Sequence, residues 1–242
     1  MPNASFSKHS TYEMRTAPPT RSWHECPGAT ARNWPSEQMI RLLCRAIPAE
    51  DRAGLTALDI GCGNGRNTQA LCEMGFAPVI AVDPSAELIA AAVQRTRRTG
   101  YEIRTHVAAL PALPVPDASV DVAVCWGVLY VVGPESNVAA ALGELARVLR
   151  PGGVLVCDWR TSTDHLRKWA GLQLDPHTFE LTAAAPLNLA GMHYSFWDRP
   201  AVTDALRVAG FSVADMQREE IHDLTYDARY SWWQACARRS ES

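Results

Sequence analysis

The sequence predicts an α/β protein built on a doubly wound, mostly parallel β-sheet. Three observations support this fold class. Short apolar runs of strand length alternate with segments whose apolar residues recur at helical spacing. A glycine-rich turn separates the first apolar run from the helical segment that follows it. Apolar residues make up 47% and charged residues 20% of the 242 residues, a composition typical of a globular domain.

The elements follow in order along the chain. Five apolar runs are interpreted as parallel strands, over residues 55–60, 79–82, 103–107, 120–125 and 154–157. Helices are predicted from an N-cap at Ser36 to Pro48, and over 66–75, 85–98, 135–149 and 199–209. Residues 211–217 and 230–237 are predicted as final strands, the last one antiparallel. In such a sheet, ligands bind at the carboxyl ends of the strands.

Two segments fall outside this alternation. Residues 1–33 are rich in Pro, Ser, Thr and Arg and have no periodicity, so an N-terminal arm or lid is predicted there. Residues 159–197 contain many aromatic side chains without clean periodicity, and they are predicted to form an inserted substrate cap. Residues 34–242 would then constitute a single domain that includes this cap.

Charge and composition exclude several classes of partner. The net charge is −3 and the pI about 6.2, so general attraction to a nucleic-acid backbone is not expected. No apolar run reaches the roughly 18 residues of a membrane span, and residues 1–20 lack the apolar stretch of a secretory signal. Seven cysteines without a C-x-x-C pair indicate neither a metal site nor a disulfide framework. A cytoplasmic protein with a small-molecule partner is predicted, and the oligomeric state stays open.

The segment around the glycine-rich turn carries the chemistry. Asp59 ends the first strand, and Gly61, Gly63 and Gly65 follow it before a helix begins. Glycine admits positive φ and close approach of a ligand, while the helix N-terminus presents free amides to a carboxylate. Asp59 is suited to accept from a ligand ammonium. Asp83, at the end of the second strand, is in the position from which a carboxylate binds two vicinal ribose hydroxyls.

The spacing of the glycines separates two classes of cofactor. A dinucleotide fingerprint reads G-x-G-x-x-G, whereas here the third glycine comes one residue earlier, in D-x-G-x-G-x-G. An NAD-dependent oxidoreductase is therefore disfavoured. The motif resembles motif I of class I S-adenosylmethionine-dependent methyltransferases. Residues 113–121 (LPVPDASVD), 145–153 (LARVLRPGG) and 206–211 (LRVAGF) resemble three further motifs of that family, in the same order.

The resemblance implies S-adenosylmethionine as cofactor, a Rossmann-like sheet of seven strands, and roles for particular residues. Gly61, Cys62 and Gly63 would pass over the methionine moiety, and Asp83 would bind the ribose. Pro84, Ala109 and Leu110 would lie around the adenine, Cys125 and Trp126 under the sulfonium, and Arg66 near the cofactor carboxylate. Many relatives have an aspartate where this chain has Ala109, so an acceptor for the adenine amino group is missing.

Residues for the acceptor and the proton are less clear from the sequence. His193 is the first candidate for a general base, with packing in the cap as its alternative, and Tyr130 follows the fourth strand where an acceptor would face the methyl group. Arg160 would bind a substrate carboxylate or form a surface ion pair. Tyr194 adjoins His193. Trp34, Trp159 and Trp197 are predicted either to line a binding site for a small acceptor or to form an aromatic cage around an amine. The alternative is that they pack in the core of the cap.

Two functions remain after these exclusions. The first is methyl transfer from S-adenosylmethionine to a small metabolite or natural-product intermediate; no N-P-P-Y or D-P-P-Y tetrapeptide of base-methylating enzymes follows the fourth strand. The second is a non-catalytic module that binds the same cofactor on the same fold. The missing acceptor beside adenine and the lack of an obvious base leave this second function open.

Overall fold

The computed structural model describes residues 33–133, 137–186 and 189–241. Its main sheet contains seven strands: β1 (Ala57–Ile60), β2 (Val79–Asp83), β3 (Arg104–Val107), β4 (Val120–Cys125), β5 (Leu149–Arg160), β9 (Phe211–Asp223) and β10 (Ala228–Arg239). Their order across the sheet is β3-β2-β1-β4-β5-β10-β9. β3, β2, β1, β4 and β5 run parallel, and β10 pairs antiparallel with β5 and with β9. The predicted fold class is confirmed.

In the described part of the chain, five helices accompany the sheet: α1 (Glu37–Ala46), α2 (Arg66–Glu73), α3 (Ala86–Arg98), α4 (Val138–Val148) and α5 (Arg199–Val208). Four begin at a residue whose side chain accepts a backbone N–H of the first turn, namely Ser36, Ser85, Asn137 and Asp198. Two apolar cores result, one on each face of the sheet. One includes Leu142, Leu145 and Leu155, and the other Met39, Leu43 and Leu71.

The element boundaries differ most from the prediction at β5 and at the last two strands, β9 and β10. Leu149 ends the predicted fourth helix but begins β5, which continues through Pro151-Gly152-Gly153 with an irregular register against β4. β9 and β10 have 13 and 12 residues, well beyond the predicted 211–217 and 230–237. β9 is an edge strand that carries polar residues along much of its length, so its outer half shows little of the apolar signal that predicts a strand.

The insertion between β5 and α5 has a small sheet of its own. After a 3-10 turn at His165–Trp169, the strands β6 (Ala170–Gln173), β7 (Thr178–Leu181) and β8 (His193–Ser195) pair antiparallel. They share a third apolar core with Tyr130, which includes Leu166, Phe179 and Tyr194. Trp159 and Arg160, the first two residues of the predicted cap, belong to β5 instead. The function of the insertion as a substrate cap stays a prediction.

The predicted N-terminal arm, residues 1–33, lies outside the described residues except for Asn33, as do residues 135 and 136 of the predicted fourth helix. None of the helices described is long and apolar enough for a membrane span. The described part of the chain likewise contains no cluster of three or more His, Cys, Asp or Glu side chains arranged for a metal ion.

Candidate functional site

The three glycines between β1 and α2 are required for three different physical reasons. A Cβ on Gly61 would overlap Val128 Cγ2, in the loop that follows β4. A Cβ on Gly65 would lie 2.7 Å from both Cα and Cβ of Ala92, where α2 and α3 pack together. A Cβ on Gly63 would meet no protein atom within 4 Å. Gly61 and Gly65 therefore shape the loop by packing, whereas Gly63 presents a bare backbone to open space.

Asp83 is tied to this loop by hydrogen bonds. Its Oδ2 accepts from Gly63 N at 3.0 Å, and its Oδ1 accepts from Ser85 N at 2.9 Å. The carboxylate is buried at the carboxyl end of β2, next to the exposed ring of Pro84. Each carboxylate oxygen has lone pairs beyond those used by one amide, so Asp83 keeps acceptor capacity for hydroxyl groups. The donor and acceptor set fits a ribose beside a glycine loop.

Asp59 is a buried carboxyl at the end of β1 whose ionisation is close to neutrality. Burial is the main cause that raises its pKa to about 7, with a further contribution from Asp83. Thr68 Oγ1 donates to its Oδ2 at 2.6 Å and, with the positive charge of Arg66, lowers the pKa in part. A cationic ligand group near Asp59 would favour its ionised form. This behaviour fits the predicted role as acceptor for an ammonium.

Arg66 and Trp34 lie together at the start of α2. Arg66 Nη1 donates to Trp34 O at 2.9 Å, while the Trp34 side chain is 83% exposed. Ser36 N donates to Asn67 Oδ1, so the segment that precedes α1 lies against α2. Gly65, the N-cap of α2, supplies no side-chain cap, which leaves the first amides of the helix to other acceptors. Trp34 therefore lies against the start of α2 rather than beside Trp159 and Trp197.

The segment predicted to lie along adenine follows β3. Ala108 N donates to Asp83 O at 3.2 Å, Ala112 N donates to Ala109 O, and the Leu110 side chain is buried. Glu144 and Arg147 of α4 fix the continuation of this segment: Leu113 N donates to Glu144 Oε1, and the Arg147 guanidinium donates to Leu113 O and Val115 O. These anchors could not be foreseen from the local sequence, because they lie 31–34 residues away in the chain.

Cys125 and Trp126 are buried at the end of β4. Cys125 pairs with Ile60 of β1, the residue that directly precedes the glycine-rich turn. Burial raises the pKa of Cys125 and of Cys62 above that of an ordinary thiol, so both stay protonated and are poor nucleophiles. Gly127 N donates to Asp158 Oδ1 at 2.6 Å, which ties the loop after β4 to β5.

Arg160 and Tyr130 meet under the insertion. Arg160 is buried at the end of β5, and its Cζ lies 5.2 Å from the ring centroid of Tyr130 and 6.0 Å from that of Tyr194. The surface ion pair considered for Arg160 is wrong, because its ion pair with Asp164 is buried at both ends. Sequence reasoning did not identify three neighbours of Arg160, namely Asp164, Tyr230 and Trp232. The available signal was an acidic residue four positions after Arg160.

His193 is not on the same face of the small sheet as Tyr194. The register pairs Tyr194 with Phe179 and His193 with Glu180, and successive side chains of a strand point to opposite faces. His193 Nε2 lies 3.9 Å from Glu180 Oε2, whereas the Tyr194 ring lies 5.8 Å from that of Tyr130. The structure therefore brings Tyr130, Tyr194 and Arg160 together, and it directs the His193 side chain to the opposite face of the small sheet, toward Glu180.

Trp159 and Trp197 pack edge to face, with ring centroids 4.9 Å apart, and both are buried. Trp197 also stacks on His177 at 3.8 Å. Since Trp34 lies elsewhere on the surface, the three tryptophans form no common wall or amine cage. Trp159 and Trp197 serve the packing of the sheet against the insertion.

Comparison with known proteins identifies a domain family for the central part of the chain. Residues 58–157 match the family model described as a methyltransferase domain. An uncharacterized methyltransferase of Mycobacterium tuberculosis is 31% identical over 167 residues, which are 66% of this chain and 63% of that protein. The matched stretches span from 33% to 63% of the length of the first curated relatives.

Two solved structures share the architecture. A SAM-dependent methyltransferase from Methanosarcina mazei has a TM-score of 0.65 and 22% identity, covering 77% of this chain and 93% of that one. The 1,6-didemethyltoxoflavin-N1-methyltransferase of Burkholderia thailandensis, with its substrate and S-adenosylhomocysteine bound, has a TM-score of 0.60 and 23% identity, covering 85% and 80%. At these identities, the likeness shows the fold.

Proposed function

Because residues 58–157 match a methyltransferase domain family and the glycine-rich turn resembles motif I of class I S-adenosylmethionine-dependent methyltransferases, we propose that the protein transfers a methyl group from S-adenosylmethionine to a small-molecule acceptor. One observation carries the proposal. The backbone of Gly63 faces open space, and its amide donates to Asp83, so a surface for the ligand and a carboxylate acceptor for its hydroxyl groups lie side by side. A diphosphate, by contrast, would meet the carboxylates of Asp59 and Asp83 at this position.

The residues of the chain divide the work of binding. Asp83 accepts from the ribose hydroxyls, Asp59 from the ammonium, and the first amides of α2 with Arg66 donate to the carboxylate. Gly61, Cys62, Pro84, Ala109 and Leu110 complete the proposed cofactor surface. When bound, S-adenosylmethionine supplies an activated methyl group on a sulfonium. Its methyl group would lie above Cys125 and Trp126.

The acceptor would bind between the loop after β4 and the insertion. Tyr130, Tyr194 and Trp232 exclude water there, and holding the acceptor in line is worth about 7–11 kcal/mol in favourable cases. For an acceptor that must lose a proton, we propose that Tyr130 in its phenolate form, beside the Arg160 cation, accepts this proton and becomes the neutral phenol. Tyr130 is preferred to His193 because it lies in the loop after β4, whereas His193 faces Glu180.

A cytoplasmic location is part of the proposal. The six cysteines of the described residues are all free thiols, which is typical of proteins in a reducing compartment. The acidic net charge favours a small molecule over a nucleic acid as partner.

Isothermal titration calorimetry with S-adenosylmethionine, S-adenosylhomocysteine and NAD tests the cofactor. We expect the first two to bind and NAD not to bind. Asp83→Asn should weaken binding at least about tenfold, since it removes the charge of the acceptor that receives the ribose hydroxyls. Asp215→Asn, a half-exposed carboxylate paired with Arg45, is the matched control and should bind like wild type. Preference for NAD, or unchanged affinity of Asp83→Asn, would reject the proposed site.

Incubation of cell extract with isotopically labelled S-adenosylmethionine tests transfer. A metabolite that gains the labelled methyl group only when the protein is present supports the enzyme. Tight cofactor binding without any labelled product would favour the non-catalytic module.

A further inference from the structure

Arg160 is a buried cation that the proposed cofactor site does not use. It ends β5 at the same edge of the sheet as Asp59 and Asp83, and it is 6% exposed. A buried guanidinium is costly unless its charge and its donors are matched, so its surroundings indicate what it binds.

Asp164 matches one edge of this guanidinium. Asp164 Oδ2 accepts from Arg160 Nη1 at 2.7 Å and from Ser231 N at 2.8 Å, while Oδ1 accepts from Leu166 N at 2.9 Å. The carboxylate is thus fixed by three donors of the chain, and it fixes the orientation of Arg160 in turn. Arg160 Nε, on another edge, is buried and has no hydrogen-bond partner among the described residues.

Aromatic rings surround the guanidinium. Its Cζ lies 4.8 Å from the ring centroid of Trp232, 5.2 Å from that of Tyr130, 5.8 Å from that of Tyr230 and 6.0 Å from that of Tyr194. Since the arginine itself occupies the negative faces of these rings, a cationic ligand would be repelled rather than caged. The same rings keep water away, which strengthens a hydrogen bond between the guanidinium and an anion.

We propose that Arg160 is a specificity residue that binds a carboxylate of the methyl acceptor through its Nε edge. A planar carboxylate matches the donor geometry of a guanidinium edge, and its charge matches the cation. Tyr130 connects this position with the loop after β4, because it contacts Arg160 and follows Gly127 by three residues. The inference deepens the proposed function and rests on it: the acceptor is an anion anchored beneath the insertion, and amines are excluded.

Ligand binding to the full chain tests this assignment with benzoate, its neutral analogue benzamide and benzylammonium as probes. Affinity is measured by ligand-observed NMR or calorimetry, with and without S-adenosylhomocysteine. We expect saturable binding of benzoate and binding of the other two that is about tenfold weaker or more. Equal binding of benzoate and benzamide, preference for benzylammonium, or no benzoate binding by wild type overturns the proposal.

Three variants locate the interaction. Arg160→Gln should lose about tenfold or more in benzoate affinity. Arg160→Lys keeps a cation for Asp164 and removes the Nε donor, so this variant should also lose the preference for benzoate over benzamide. It provides the test if Arg160→Gln fails to fold. Arg167→Gln is the matched control, since Arg167 is an exposed arginine over the ring of Phe179, and it should behave like wild type. Benzoate affinity unchanged in folded Arg160→Lys overturns the assignment.

The cofactor titrations separate the two proposals. Arg160-dependent benzoate binding without S-adenosylmethionine binding would refute the proposed function and retain an anion site. Cofactor binding without benzoate binding would retain the methyltransferase and refute the role of Arg160.

Discussion

Replacing Gly63 by alanine adds one methyl group to the face of the loop that we assign to the cofactor. No protein atom lies within 4 Å of the added Cβ, so the folded state meets no clash. The residue has a φ of +54°, and an alanine in this left-handed region costs about 1–2 kcal/mol. For a domain of this size, that cost lowers Tm by about 2–8 °C. We expect this moderate loss of stability together with a loss of cofactor affinity of about tenfold or more, because the methyl group occupies ligand space.

Gly75→Ala is the matched control. Gly75 has a φ of +95° and equally open surroundings, but it lies in the turn after α2, away from the carboxyl edge of the sheet. The same kind of strain should lower Tm by a similar amount and leave cofactor affinity unchanged. Differential scanning fluorimetry and calorimetry of both variants give the two quantities. Normal cofactor affinity of a folded Gly63→Ala protein would refute the assignment of this face to the ligand.

Gly65→Ala should behave in the opposite sense and destabilise the fold by about 2–5 kcal/mol, because positive φ adds to overlap with the backbone of Ala92; denaturant unfolding measures this loss. Asp59 should make stability pH-dependent: its folded pKa of about 7 lies above the unfolded value near 3.8, so wild type should lose up to about 4 kcal/mol relative to Asp59→Asn as pH rises from about 4 to 7. Near pH 6, cofactor binding should release a proton from Asp59, seen as a buffer-dependent binding enthalpy that Asp59→Asn abolishes. Arg147→Ala should lower the free energy of unfolding by about 2–4 kcal/mol, because the carbonyls of Leu113 and Val115 and the carboxylate of Glu144 lose their donor. Arg150 is half-exposed, so Arg150→Ala should lower it by less than about 1 kcal/mol.

The centre of the sheet was predictable because its strands are buried on both faces. β1 and β2 are buried at every position, and such strands appear as continuous apolar runs. The outer half of β9 was not predictable, since Arg218-Glu219-Glu220 is stabilised by cross-strand partners that local sequence does not specify. Arg218 Nε, for example, donates to Ser231 Oγ, and Glu219 Oε2 accepts from Gln234.

The arrangement of the residues proposed to bind the cofactor was predictable for a related reason. Asp59, the three glycines and Asp83 are brought together by a single strand–helix–strand unit, so their spacing in sequence determines their position. The surroundings of Arg160 depend on β10, which pairs antiparallel with β5. This pairing places Trp232 opposite Arg160, although the two residues are 72 positions apart in the chain. From the sequence, Arg160 was a candidate for binding a carboxylate, with a surface ion pair as the alternative, and its burial and its neighbours could not be foreseen.

The charges along the carboxyl edge indicate where the proposed methyl transfer would take place. In strand order, β2 and β1 present Asp83 and Asp59, β4 presents the uncharged Cys125-Trp126-Gly127 segment, and β5 presents Arg160. The amide of Gly127 donates to Asp158 of β5, so this carboxylate holds the Cys125-Trp126-Gly127 segment in place. A cationic cofactor on the acidic side and an anionic acceptor at the arginine would meet above β4. We therefore expect substitutions of Tyr130, next to this segment, to lower kcat more than they change cofactor affinity.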